Sequence, residues 1–159
     1  MQPRIDYATT APGVAKAMLG LEEYVHHTGL EPGLLELVRL RASLINGCAY
    51  CVDMYTKVAR SLGETEQRLY SVSVWREAPY YTERERAALA WTEAVTLVSH
   101  EQVPDNVFEI ARKEFSDKEL VDLTMAVIAI NGWNRLAISF REVAGTYQPA
   151  PPQGGAKEA

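Results

Sequence analysis

Two cysteines, the only ones in the chain, lie three positions apart in the segment Cys48-Ala-Tyr-Cys51. They follow Asn46-Gly47, which predicts a helix end because glycine tolerates the left-handed cap conformation. A new helix is predicted from Cys48 to Leu62, so both thiols fall in its first turn, beside unpaired N–H groups and the positive end of its dipole. This position favours the reactive thiolate. A vicinal dithiol can close into a disulfide with little backbone movement, which supports a redox cycle.

Two further side chains are candidates for a catalytic role beside the cysteines. Steps of three and four residues place Cys48, Cys51 and Tyr55 on one helix face, so all three are expected to point to a common surface. Glu36 lies twelve residues before Cys48, on a predicted helix that is apolar on most sides. Burial of a carboxylate raises its pKa towards that of a working base, so Glu36 is a candidate proton acceptor.

Each candidate also has a structural interpretation. A CxxC pair can form half of a zinc site, but a zinc site needs four ligands. The other candidate ligands are His26, His27 and His100, and they do not have metal-ligand spacing. The cysteines could instead be small buried hydrophobic residues. Glu36 could be solvated or paired with Arg39 or Arg41. Glu93 and the segment Trp133-Asn-Arg135 are interpreted as structural, in the core or on a helix surface.

Apolar residues recur at three- and four-residue steps along most of the chain, which predicts helices. Capping boxes at 82–85 and 116–119 mark two helix starts, and the segment 71–75 could form a short strand instead of a helix. Asn131-Gly132 is expected to interrupt the last long helix. The predicted helical ranges are 12–27, 33–46, 48–62, 64–74, 82–100, 104–115, 116–130 and 133–143.

These elements add up to one all-α domain of about seven or eight helices over residues 1–146, with a disordered tail over 147–159. The net charge of −5 argues against nucleic acid as a partner. No apolar run approaches the ~18 residues of a membrane span, and the N-terminus has no apolar signal core, so a cytoplasmic location is expected. Several helices are apolar nearly all round, which favours a homo-oligomer.

The segment from Glu36 to Cys51 resembles the carboxymuconolactone decarboxylase-like superfamily, in particular its alkylhydroperoxidase D-like (AhpD-like) branch. The family motif is a Glu, eleven residues, CxxC, three residues and a His, and Glu36, Cys48 and Cys51 match it at these spacings. The sequences of residues 88–93 and 131–136 are also similar to those of the family, so the resemblance covers most of residues 12–145. It implies an all-helical fold, assembly into trimers or hexamers, and thiol-dependent peroxidase or disulfide reductase activity.

One position departs from the family motif, since Tyr55 stands where the family has its histidine. The resemblance implies a proton relay from Glu36 to the cysteines. A phenol with a pKa of ~10 cannot act as a base near neutral pH, but it can donate a hydrogen bond. We therefore expect a slower peroxidase, with Glu36 as proton acceptor and Tyr55 as hydrogen-bond donor. Helix-start geometry favours Cys48 for exposure, whereas proximity to position 55 favours Cys51 as the peroxide-reactive sulfur and Cys48 as its resolver.

Three functions are open at this stage. The first is a hydroperoxide reductase that is reduced again by a thiol donor protein or lipoyl-type partner and needs no metal, haem or flavin. The second is a carboxymuconolactone-type decarboxylase or related lyase, for which a redox dithiol is superfluous. The third is a non-enzymatic, redox-sensing oligomer whose disulfide changes its assembly.

Overall fold

The structure, a computed structural model, describes residues 2–149 and is all-helical over this range. Nine α-helices and one 3₁₀ helix follow one another, and the described residues contain no strand. None of these helices is both long and apolar enough to span a bilayer. The helices are α1 (Tyr7–Thr10), α2 (Pro12–His26), α3 (Pro32–Asn46), α4 (Ala49–Ser61), α5 (Glu66–Ser71), the 3₁₀ helix (Val72–Val74), α6 (Glu83–Thr96), α7 (Val98–Glu101), α8 (Asp105–Glu114) and α9 (Asp117–Phe140).

Helix α3 lies at the centre of the domain and packs against α4, α6 and α9. It is apolar on most sides because it separates two clusters of buried side chains. Leu34, Leu35 and Val38 belong to one cluster, whereas Leu37 and Leu40 belong to the other. Both cysteines lie in the second cluster. Close packing against the buried side chains of α3 therefore holds the cysteines in place.

The junction between α3 and α4 positions the cysteine pair. Gly47 follows α3 in the left-handed conformation, with φ of 70°, which confirms the predicted helix stop. The backbone N–H of Cys48 then donates to the carbonyl of Ser43 at 3.0 Å. Cys48 becomes the N-cap of α4, and Cys51 lies in its first turn. The tight backbone turn at Gly47 therefore places both cysteines at the N-terminus of α4.

Both predicted capping boxes are confirmed. Thr82 and Glu85 exchange side chain-to-backbone hydrogen bonds at the start of α6, and Ser116 and Glu119 do the same at the start of α9. Each box satisfies free backbone N–H groups within four residues, so it can be recognised without tertiary information.

One expectation about the elements was wrong. Asn131-Gly132 does not interrupt a helix, because the Asn131 side chain donates to the carbonyl of Val127 inside the continuous α9. The missing Cβ of Gly132 makes room for Met18, whose terminal methyl carbon would lie 2.8 Å from it. The predicted helix over 64–74 is confirmed as α5 and the 3₁₀ helix, so the alternative strand at 71–75 is not formed. The described residues contain nine α-helices, slightly more than the seven or eight expected.

The predicted tail lies mostly outside the described residues, which end at 149. At its beginning, the carbonyl of Tyr147 accepts a hydrogen bond from Lys57 Nζ at 3.0 Å. The first part of the segment predicted as a tail is therefore held against α4.

Candidate functional site

The two cysteines form a disulfide at the N-terminus of α4, with their Cα atoms 5.3 Å apart. The backbone N–H of Cys51 donates to Cys48 Sγ at 3.3 Å, so this sulfur occupies the N-cap position. An N–H donor and the helix dipole both stabilise negative charge on a sulfur at this place. Cys48 and Cys51 are 1% and 3% exposed, so both are buried and exposure does not favour Cys48.

Cys51 lines a pocket of about 380 Å³, which we call the acid pocket. Glu36 and Tyr55 line the same pocket, so three of the four residues singled out in the sequence meet there. Most of the remaining wall is apolar or aromatic, and Glu22, Arg39 and Glu142 add charge. The other lining residues are Tyr7, Leu19, Tyr50, Met54, Val58, Trp133 and Ala137.

Glu36 is a buried carboxylate with one engaged and one unengaged oxygen. Its Oε1 accepts a hydrogen bond from Arg39 Nη1 at 2.6 Å. Its Oε2 is buried and has no hydrogen-bond partner among the described residues. Burial raises the pKa of Glu36, although the adjacent Arg39 guanidinium opposes this effect. Burial thus favours the protonated form of this carboxyl group, and its unengaged oxygen can bind the proton.

Arg39 joins Glu36 to a second carboxylate that the sequence analysis did not single out. Its Nη2 contacts Glu22 Oε2 at 2.6 Å, while Glu22 Oε1 accepts a hydrogen bond from Trp133 Nε1 at 3.1 Å. This chain of contacts crosses from α3 to α2 and α9, elements far apart in sequence. Sequence spacing could identify the Glu36–Arg39 pair on one helix face, but not the Glu22 and Trp133 partners.

Tyr55 is almost fully buried, at 5% exposure, and lies on the same wall as Cys51. Burial is the main cause that raises the pKa of Tyr55, with Glu22 adding to it. The Arg39 guanidinium lies over the ring, 5.8 Å from its centroid. Tyr55 therefore stays a neutral phenol, able to donate a hydrogen bond but not to accept a proton as a base.

Cys48 lines a different pocket, of about 360 Å³, beside the C-terminal end of α9. Cys51 and Tyr55 thus line one pocket as expected, whereas Cys48 lines the other. We call this second space the basic pocket because Arg4 and Arg141 line it, together with Glu142. Its other lining residues are Gly47, Ala49, Tyr50, Ala137 and Ile138.

The contacts of Arg41 and Glu93 decide between the structural and the functional interpretations of these two residues. Arg41 pairs with Glu93 rather than with Glu36. Burial would raise the pKa of Glu93, but Arg76, Trp75 and Arg41 outweigh it and hold that pKa below its usual range. Glu93 therefore joins α6 to its neighbours as an ionised structural group. Within residues 2–149, no three His, Cys, Asp or Glu side chains are placed to hold a metal ion.

Comparison with known proteins places this geometry in a family. Residues 12–94 match the Carboxymuconolactone decarboxylase family. The uncharacterized protein YdfG of Bacillus subtilis (strain 168) is 38% identical over 139 residues, which are 87% of this chain and 95% of YdfG. Its name assigns no activity.

Two solved structures have similar folds. ATU0492 of Agrobacterium tumefaciens, a protein of unknown function provisionally named antioxidant defence protein AhpD, is 49% identical. It superposes with a TM-score of 0.89 over 92% of this chain and all of that chain. The debrominase Bmp8 has a TM-score of 0.78 at 19% identity, covering 87% of this chain and 74% of its own, and is similar in fold alone. With its matched sequence, helical architecture and paired cysteines, the chain belongs to the carboxymuconolactone decarboxylase family and shares the fold of its AhpD-like members.

Proposed function

We propose that this protein is a thiol-dependent hydroperoxide reductase and disulfide oxidoreductase that works through a Cys48–Cys51 dithiol/disulfide cycle in antioxidant defence. The observation that carries the proposal is the disulfide at a helix N-terminus, with one of its cysteines lining a pocket that a buried carboxyl group also lines. A disulfide stabilised only by packing has no need of an adjacent, partly unbonded Glu36.

The reaction begins with the reduced pair. The Cys51 thiolate attacks the outer peroxide oxygen, so a sulfur–oxygen bond forms and the oxygen–oxygen bond breaks. The alkoxide leaves and takes a proton to become an alcohol, and Cys51 becomes a sulfenic acid. The Cys48 thiol then attacks Cys51 Sγ, which forms the disulfide and releases water. One hydroperoxide is reduced by two electrons for each disulfide formed.

Glu36 and Tyr55 have different tasks in this scheme. Glu36 accepts the Cys51 thiol proton and returns it to the leaving alkoxide, a role for which its raised pKa suits it. Tyr55 donates a hydrogen bond to the thiolate or to bound water. Tyr55 cannot replace a histidine base, and we therefore propose slower thiol activation than in a histidine-bearing relative.

The provisional name of ATU0492 supports an antioxidant role, and the family membership agrees with it. The cycle also needs electrons, and we propose a thiol donor protein or a lipoyl-type partner as their source. A cytoplasmic location would keep the pair in the reduced, peroxide-reactive state.

We further propose a homo-oligomer, a trimer or hexamer, because large apolar side chains on the outside of α2 and α9 are exposed: Leu19, Val121 and Ile128.

Single-cysteine variants test the assigned roles. Reduced Cys48→Ser protein should consume one equivalent of an organic hydroperoxide and stop as a sulfenic acid that dimedone traps on Cys51. Reduced Cys51→Ser protein should consume it no faster than the double variant. Peroxide consumption at the wild-type rate by the double variant would remove the proposal, and sulfenic acid formed on Cys48 instead would reverse the two roles.

Two other functions remain distinguishable by experiment. A carboxymuconolactone-type decarboxylase or lyase should keep its activity after alkylation of both thiols, since its chemistry does not use them. A non-enzymatic redox sensor should change its assembly when the disulfide is reduced, whereas the enzyme should not.

A further inference from the structure

The two cysteines of the disulfide line two different pockets whose charged residues differ. Three carboxylates and one guanidinium line the acid pocket beside Cys51, namely Glu22, Glu36, Glu142 and Arg39. Two guanidinium groups, Arg4 and Arg141, and a single carboxylate, Glu142, line the basic pocket beside Cys48. Tyr50, Ala137 and Glu142 line both pockets and so lie between them.

The two arginines of the basic pocket are available to an incoming anion. The structure anchors Arg4 by its backbone N–H, which donates to Phe140 O at 2.9 Å, and by Nη1, which donates to Ser139 O at 3.1 Å. Arg141 ends α9 in a left-handed conformation with φ of 58°. Between residues 2 and 149, neither guanidinium takes part in an ion pair. The planar guanidinium group of arginine can bind a carboxylate through two parallel hydrogen bonds.

We propose that the basic pocket is the site where the reductant enters, and that the reductant is a small dithiol carrying a carboxylate, which attacks Cys48. Such a molecule is attracted by Arg4 and Arg141 and repelled by the carboxylates of the acid pocket. A neutral hydroperoxide is neither strongly attracted by the arginines nor strongly repelled by the carboxylates, and it reaches Cys51 along the apolar side chains of the acid pocket. Oxidant and reductant therefore reach one disulfide through different pockets.

The exchange step follows from this geometry. The reductant thiolate attacks Cys48 Sγ, a new sulfur–sulfur bond forms, and the Cys48–Cys51 bond breaks. The electron pair leaves on Cys51 Sγ, which takes a proton in the acid pocket. The second thiol of the dithiol then attacks the reductant's own sulfur in the mixed disulfide and releases Cys48 as a thiolate. The N–H of Cys51, now donating to Cys48 Sγ, stabilises that leaving group.

This inference rests on the proposed dithiol cycle, but its test uses only the reducing half-reaction. Oxidised protein is mixed with dihydrolipoate or with dihydrolipoamide, which differ in one carboxylate, and the appearance of protein thiols is followed without peroxide. Wild-type protein should be reduced about fivefold faster by the anionic dithiol at low ionic strength. In Arg141→Glu protein this preference should disappear or invert, and added salt should weaken it in the wild type.

A charge-matched control separates local from overall electrostatics. Lys113→Glu changes the net charge by the same amount from an exposed position on α8 that lines neither pocket, and it should leave the preference unchanged. An equal loss of preference in both variants, or no preference in the wild type, would overturn the proposal. If the preference holds although reduced protein consumes no peroxide, the entry site stands and the proposed peroxidase function fails.

Single-cysteine variants give a second measurement that does not depend on Arg141. Cys48 alone, in Cys51→Ser protein, should favour anionic dithiobis-nitrobenzoate over neutral dithiodipyridine more strongly than Cys51 alone does in Cys48→Ser protein. Equal ratios of the two labelling rates would contradict the assignment of the basic pocket to Cys48.

Discussion

At the scale of single residues, Tyr55 is the most informative position because it holds a neutral phenol beside Cys51. Tyr55→His places an imidazole there, which can accept a proton near neutral pH. We predict about a tenfold faster oxidation of the reduced protein by an organic hydroperoxide, measured by stopped-flow fluorescence. Tyr55→Phe, which keeps the ring but loses the hydroxyl group, should be slower than wild type. No gain in the histidine variant would count against the assigned role of this position.

Glu36 makes a prediction about stability that is independent of turnover. Its pKa is raised from 4.5 by burial, so the folded state binds the proton more tightly than the unfolded state does. Its contribution to stability is therefore fully present below pH 4.5 and is lost as the pH rises through the raised value. Glu36→Gln cannot ionise and escapes this loss.

Urea unfolding of the two proteins between pH 4 and 8 provides the measurement. The free energy of unfolding of Glu36→Gln, relative to wild type, should rise with pH across this range. Glu109→Gln, at an exposed position of α8, serves as the control and should give a flat difference. A difference that falls with pH at position 36 would mean that Arg39 outweighs burial and holds the carboxylate ionised.

At the scale of elements, α9 shows how local signals and tertiary contacts compete. The capping boxes were predictable because all of their partners lie within four residues. Asn131-Gly132 misled the sequence analysis because its usual role as a helix end is overridden by contacts from other elements. Asn131 donates to Thr96 of α6 at 3.0 Å, and Gly132 leaves room for Met18 of α2. Neither partner can be inferred from spacing along α9.

The close approach of α2 and α9 at Gly132 leads to a packing prediction. Gly132→Ala gains about 1 kcal/mol of helix propensity, offset by displacing the flexible end of Met18, so it should change stability little. Gly132→Val adds branched bulk at the same place and should cost about 1–3 kcal/mol. Met18→Ala in the same chain should recover part of that cost in denaturant unfolding. Independent, additive effects would contradict the contact.

At the scale of the whole molecule, the sequence predicted the all-helical fold and the common surface of Cys51 and Tyr55, and the family resemblance implied that Glu36 lies near them. It could do so because the first part of the site is built from consecutive helices, α3 and α4, joined by one glycine. The division of the site into two pockets was not predictable. It depends on the C-terminal end of α9 and on Arg4, which approach Cys48 only in the folded domain.

Assembly is the prediction that belongs to this scale. Exposed apolar side chains on α2 and α9 lead us to expect a particle several times heavier than the 17.7 kDa chain in light scattering after size exclusion. The mass should be the same with oxidised and with reduced cysteines, because the enzyme uses its disulfide for chemistry. A monomer would contradict the oligomer, and a mass that changes with redox state would favour the sensing role.

The most direct test of the central claim is a single-turnover titration. Fully reduced protein is mixed with one equivalent of an organic hydroperoxide, and the remaining thiols, the alcohol product and the protein mass are measured together. The dithiol cycle predicts one alcohol for each disulfide formed, with Cys48 and Cys51 both lost as free thiols. Peroxide that persists as long as in the Cys48→Ser/Cys51→Ser double variant, with both thiols still free, would contradict it.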